Sequence, residues 1–126
     1  MTAIEDLLAA WKKAIDAHHP AEVAALFTED AVFQGLHPYT VGQAGVADYY
    51  AGQPAGMTAA YRILETRPLA DAVVLGWVAA AFSFTEPARP PVEVNLTVVA
   101  HRDGGTWRIA HYHVSPRIPS KESPSS

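Results

Sequence analysis

The chain contains no cysteine. Thiolate nucleophiles, thiolate metal sites and disulfides are therefore excluded. Proton-moving chemistry falls to carboxylates, imidazoles and phenols. Asp30, Asp48 and Glu93 are the candidate bases, since burial in a dry cavity raises a carboxylate's pKa toward neutrality. Asp30 could equally bind backbone groups at a helix end. His37, beside Pro38 and Tyr39, is a candidate acid or base because an imidazole titrates near neutral pH; the alternative is a surface-loop histidine. Tyr112 and Tyr61 could donate a hydrogen bond to a ligand carbonyl or developing oxyanion. His111 and His113 have the His-x-His spacing of a strand metal pair, roughly 6–7 Å apart. A metal would need a further ligand, which only His37 and His101 offer, so the pair is read as interface histidines and no metal is expected. No glycine-rich phosphate loop, Gly-x-Ser-x-Gly elbow or dinucleotide fingerprint is present, and no cofactor is expected.

The elements that must position these residues can be read from spacing. Thr2 and Glu5 form a capping box. Ile4, Leu7, Leu8, Trp11 and Ile15 then recur at three- and four-residue intervals, predicting a helix over 3–17. Pro20 opens a second helix whose apolar face is Val23, Leu26 and Phe27 and which stops near Thr28-Glu29-Asp30. A strand follows over 31–37, a short partner over 39–41, and a third helix over 42–51. Long strands are expected over 57–68, 71–84, 91–102 and 106–115. Asp103-Gly104-Gly105 supplies the positive φ angles of a tight turn between the last two. Helices followed by long antiparallel strands make an α+β layout. Residues 1–116 are expected to form one domain and 117–126 a disordered tail rich in proline and serine.

Leu26-Phe27-Thr28-Glu29-Asp30-Ala31-Val32-Phe33 after the second helix, and Trp107-Arg108-Ile109 in the last strand, resemble the nuclear transport factor 2-like superfamily over about residues 3–116. Within it the chain resembles SnoaL-like proteins of the SgcJ/EcaC type. His111-Tyr112-His113 and Ser115 are also similar to the end of the association domain of calcium/calmodulin-dependent protein kinase. The resemblance implies a cone: a curved antiparallel sheet with the N-terminal helices packed on its concave face, leaving a cavity between. It also marks position 30 as one that relatives keep acidic. Ala47, Ala79, Thr97 and Val114 stand where the association domain carries arginines that attract carboxylates. Their loss removes the bidentate fork that reads a carboxylate and implies a neutral, largely apolar ligand.

Pairing Arg102 with Trp107 across the turn sets Thr97 opposite Tyr112 and Asn95 opposite Val114. In family terms that face is the concave one, and Trp77, Ala79 and Ala81 join it. The expected ligand-binding residues are thus Trp77, Asn95, Thr97, Tyr112, Tyr61 and Val114. The other face, with Val74, Val78, Phe82, Leu96, Val98 and Ile109, is too apolar for water and predicts a homodimer packed sheet to sheet.

The expected function is that of a small-molecule pocket protein binding or transforming a neutral hydrophobic, polyketide-like metabolite. Any catalysis would be cofactor-free acid/base chemistry of the isomerase, cyclase or dehydratase type. A non-catalytic homo-oligomerisation or binding module is the alternative. A formal charge of −4 argues against nucleic acid or an anionic membrane as partner. No run approaches the roughly 18 apolar residues of a span, and no signal peptide is seen, so a cytoplasmic location is expected. Abundant alanine, and arginines outnumbering lysines, suggest a GC-rich bacterial genome.

Overall fold

A computed structural model describes residues 2–85 and 88–117. The chain order is α1 (Ala3–Asp16), α2 (Pro20–Ala24), β1 (Phe27–Gln34), β2 (Thr40–Val41), α3 (Gln43–Ala51), β3 (Thr58–Ala70), β4 (Val73–Thr85), β5 (Ala88–Asp103) and β6 (Thr106–Pro116). The strands form one curved, unclosed sheet in the order β2-β1-β6-β5-β4-β3. All pairings are antiparallel except β1 with β6, which is parallel. This is the expected α+β cone.

The capping box forms as the sequence implies. Thr2 accepts from the Glu5 N–H at 3.2 Å, and Glu5 accepts from the Thr2 N–H at 2.8 Å. The apolar stripe Ile4, Leu7, Leu8, Trp11 and Ile15 is buried against the sheet. Its opposite wall is Val78, Ala80, Phe82, Val94, Leu96, Val98, Ala100, Ile109, Tyr112 and Val114, all buried. Close approach of α1 to β4 needs Gly76, where a Cβ would lie 2.9 Å from Ile4 Cγ2. Asp16 ties the end of α1 to β3 by accepting the Ala59 N–H at 2.9 Å.

Two expectations are corrected. The second helix ends at Ala24, and Phe27 begins a strand rather than closing a helical face. The Ile109 N–H donates to the Leu26 carbonyl at 2.7 Å, and Phe27 packs edge-on against Phe33. Pairing with β6 therefore captures the segment that helical spacing would have taken.

The second correction concerns the last hairpin. Arg102 does pair with Trp107, and Ala100 with Ile109, but then Val99 pairs with His111 and Thr97 with His113. A β-bulge at Ala110 inserts one unpaired residue and exchanges the faces beyond it. Tyr112 and Val114 therefore lie with Val98 and Leu96 inside the cone. Thr97, Asn95, His111 and His113 lie outside.

Most of the expected tail, 118–126, falls outside the described residues. Arg117 bonds back to β5, its N–H donating to the Glu93 carbonyl at 3.0 Å and its guanidinium to the Glu93 carboxylate at 3.0 Å.

Candidate functional site

Three elements aim polar groups into the apolar interior. Trp11 from α1 donates its indole N–H to the Tyr50 hydroxyl of α3 at 3.2 Å, and Tyr50 donates onward to the Tyr112 hydroxyl of β6 at 3.2 Å. All three side chains are buried. The Phe33 ring stacks on Tyr112, centroids 4.5 Å apart and planes within 14°. Phe27 and Tyr49 crowd Phe33 from other sides. The middle of the cone is thus filled by aromatic rings.

Burial pushes both the Tyr50 and Tyr112 phenols above their ordinary range, because the phenolate would lose its hydration. Both stay neutral through ordinary pH. They can donate or accept hydrogen bonds and cannot act as bases there.

A small interior space remains between α3, the loop after β1 and strands β4 and β5. A cavity of about 40 Å³ is lined by Leu36, Tyr49, Tyr50, Gln53, Met57, Phe82, Phe84 and Val92. No charged side chain is among them. Leu36 comes from the loop after β1, and Gly35 beside it is buried so closely on the Tyr49 ring that a Cβ would sit 2.7 Å from it. Burial raises the Tyr49 phenol too, partly offset by its hydrogen bond with the Leu36 backbone.

A second, larger cleft of about 740 Å³ opens between the start of β1 and the β5–β6 turn, lined by Thr28, Glu29, Asp30, Gln43, His101, Asp103, Thr106 and Arg108. It is polar, open to solvent and separate from the apolar interior.

The sequence candidates divide among these regions. Tyr112, Val114 and Tyr61 face the interior, where Tyr61 meets the edge of Trp11 at 6.3 Å between centroids. Trp77, Asn95 and Thr97 stand on the outer face instead, as do Ala79 and Ala81. Val78, Phe82, Leu96, Val98 and Ile109, expected at a dimer contact, are covered by the protein's own helices. Asp30 is exposed in the polar cleft and accepts from the Thr28 hydroxyl at 3.1 Å. His37 is exposed on the loop, its ring tilted toward Tyr49 at 5.9 Å. Asp48 is exposed on α3, and Glu93 is exposed and paired with Arg117. The fold does not bring Asp30, His37 and Tyr112 together. The lining residues Leu36, Gln53, Met57, Phe84 and Val92 escaped sequence reasoning. The one signal for them was an apolar cluster just before and at the ends of the long strands.

The model of the SnoaL-like domain matches residues 4–119, and the chain belongs to this family. Among solved structures, it is similar to a ketosteroid isomerase-like protein from Erwinia carotovora atroseptica (22% identity, TM-score 0.78, covering 92% of this chain and 95% of that one). It is also similar to a protein provisionally assigned as a calcium/calmodulin-dependent protein kinase II association domain, from Xanthomonas campestris (19% identity, TM-score 0.81, covering 90% and 85%). A third is provisionally assigned as a scytalone dehydratase, from Novosphingobium aromaticivorans (19% identity, TM-score 0.74, covering 92% and 83%). The structural likeness, at these low identities, shows a shared nuclear transport factor 2-like fold alone, and that fold carries many unrelated functions. No curated protein matches the chain.

Proposed function

We propose that this protein binds a small, neutral, largely apolar ligand between α3, the loop after β1 and strands β4 and β5. The observation that carries this reading is the cavity beneath Leu36 and Tyr49, apolar on nearly every side and without a charged group. Gln53 and Tyr49 are its polar-bearing residues, enough to orient a ligand with one or two neutral oxygens. An acidic ligand would find no cation there to replace its water. The volume holds very little, against about 300–1,000 Å³ for sites that take drug-sized ligands. A ring-sized ligand therefore enters only when Leu36 and Tyr49 swing outward. Asp30 and His37 do not line this cavity, so the reading is one of binding, and turnover by those groups is not part of it.

Native mass spectrometry of freshly purified protein, beside the same sample denatured, tests this directly. The expected result is a bound neutral molecule lost on denaturation, and a ligand-dependent rise in Tm. Leu36→Trp should fill the mouth and abolish both, while Asp30→Asn leaves them unchanged. Binding that survives Leu36→Trp, or that selects carboxylates, sinks the reading.

A second reading concerns partners. We infer that the outer sheet face joins two copies of the chain, although its residues differ from those expected. Trp77 is 51% exposed at the middle of a long strand. Leu75, Thr97 and Val99 adjoin it on β4 and β5, while Glu65 is its partner on β3 and is itself paired with Arg67. An indole left in water there is an anchor of the kind that dominates protein contacts, and an isologous contact would cover it twice. Similarity to a protein assigned as an association domain supports the same reading. Sedimentation velocity should show a dimer that Trp77→Glu converts to monomer with unchanged far-UV circular dichroism. A wild-type monomer at high concentration would refute it.

A further inference from the structure

His111 and His113 leave β6 on the outer face, their ring centroids 6.2 Å apart and their planes tilted by 42°. The bulge at Ala110 put them there. Across the sheet they are flanked by Val99 and Thr97 on β5, and by Val32 and Gln34 on β1. None of these four directly paired residues is charged. His111 is half-buried and His113 exposed.

Two imidazoles on alternate residues of a rigid strand are a chelating pair. Zinc takes ring nitrogens at about 2.0–2.1 Å, and a small χ rotation brings both rings onto one ion from this spacing. A closed site needs four ligands. Among the described residues, no group of three or more histidine, cysteine, aspartate or glutamate side chains is placed to hold a metal. One chain therefore offers half a site.

The sheet's own order says where the other half stands. β6 and β5 are the two central strands of six. An isologous contact between outer faces, with its axis through the sheet centre, sets the histidine pair of one copy opposite that of the other. Packed sheets stand about 10 Å apart, a gap that opposed imidazoles with an ion between them can span.

We propose that His111 and His113 form half of a divalent-cation site of the imidazole-binding class, zinc or a neighbouring first-row metal, completed by the same two histidines of a second copy. The proposal rests on the outer-face association inferred above, and its test separates the two.

The test uses tag-free protein stripped with chelator, titrated with Zn²⁺ and followed by sedimentation velocity and native mass spectrometry. The expected result is one zinc per two chains and a dimer tightened roughly tenfold or more by zinc. Co²⁺ should give the visible absorption of a tetrahedral nitrogen site. His111→Gln and His113→Gln should each abolish the metal effect with the fold intact by circular dichroism, while His101→Gln preserves it. A dimer that forms without zinc and takes up none overturns the metal site and leaves the association standing. A monomer with and without zinc overturns both. One zinc per monomer, or uptake that survives both histidine variants, overturns the shared site.

Discussion

The Tyr50 and Tyr112 hydroxyls meet at 3.2 Å in the interior of the cone, joining α3 to the central strand β6. Trp11 adds α1 to the same chain of hydrogen bonds. The three elements that close the interior are thus tied by polar contacts among buried apolar side chains, a setting in which each unmatched group is costly.

Removing the middle of that chain should cost more than removing its end. Tyr50→Phe strands both the Trp11 N–H and the Tyr112 hydroxyl, with an expected loss of about 2–3 kcal/mol. Tyr112→Phe strands only the Tyr50 proton, with an expected loss of about 1–2 kcal/mol. The double variant should cost less than the sum, because the second change removes a group the first had orphaned. Urea unfolding of the three variants measures this.

Both buried phenols have folded-state pKa values raised above those of the unfolded chain. Their contribution to stability is complete below the unfolded phenol value, near pH 10, and is lost as pH climbs toward the folded values. Denaturation midpoints should fall progressively above about pH 10. Tyr50→Phe/Tyr112→Phe should flatten that slope. An equal slope in wild type and double variant would contradict the assignment.

Gly76 should resist enlargement. Gly76→Ala places a methyl 2.9 Å from Cγ2 of the fully buried, branched Ile4, costing about 1–3 kcal/mol by overpacking. Ile4→Val in the same chain removes the Cδ1 atom, which would also lie near the new methyl at 3.1 Å. It should recover part of the loss in thermal unfolding.

Asp16 should matter as an acceptor more than as a charge. Its carboxylate holds the Ala59 N–H and also pairs with Lys12 at 2.7 Å, and that pair is partly exposed. Asp16→Ala should cost about 1–2 kcal/mol, whereas Asp16→Asn, which keeps an amide oxygen for Ala59, should cost about 0.5 kcal/mol or less. Chemical denaturation of both variants distinguishes the roles.

The order of the elements was legible in the sequence because local signals agreed. The capping box, the Trp11 stripe, Pro20, the Asp-Gly-Gly turn and the alternation of the long strands each mark an element with little tertiary help. What escaped was non-local. Phe27 has a helical neighbourhood and a strand partner, and only contact with Ile109 on β6 decides for the strand. The Ala110 bulge has no glycine or proline to announce it, so strict alternation carried past it put Thr97 with Tyr112 and Trp77 inside. Tyr112 and Val114 do lie on the inner face, as strict alternation has them, but by a register that the bulge changes.

That extra residue has a consequence for how the chain can vary. It sets the two ends of β6 in opposite phase, so that Ile109 and Tyr112 both point inward although three positions separate them. Deleting Ala110 would not shorten a loop. It would remove the bulge and join Ile109 directly to His111 in plain alternation, leaving the imidazoles outside and the phenol inside. With the alanine present, it is the bulge absorbing it that keeps the protein's inside and outside from trading places.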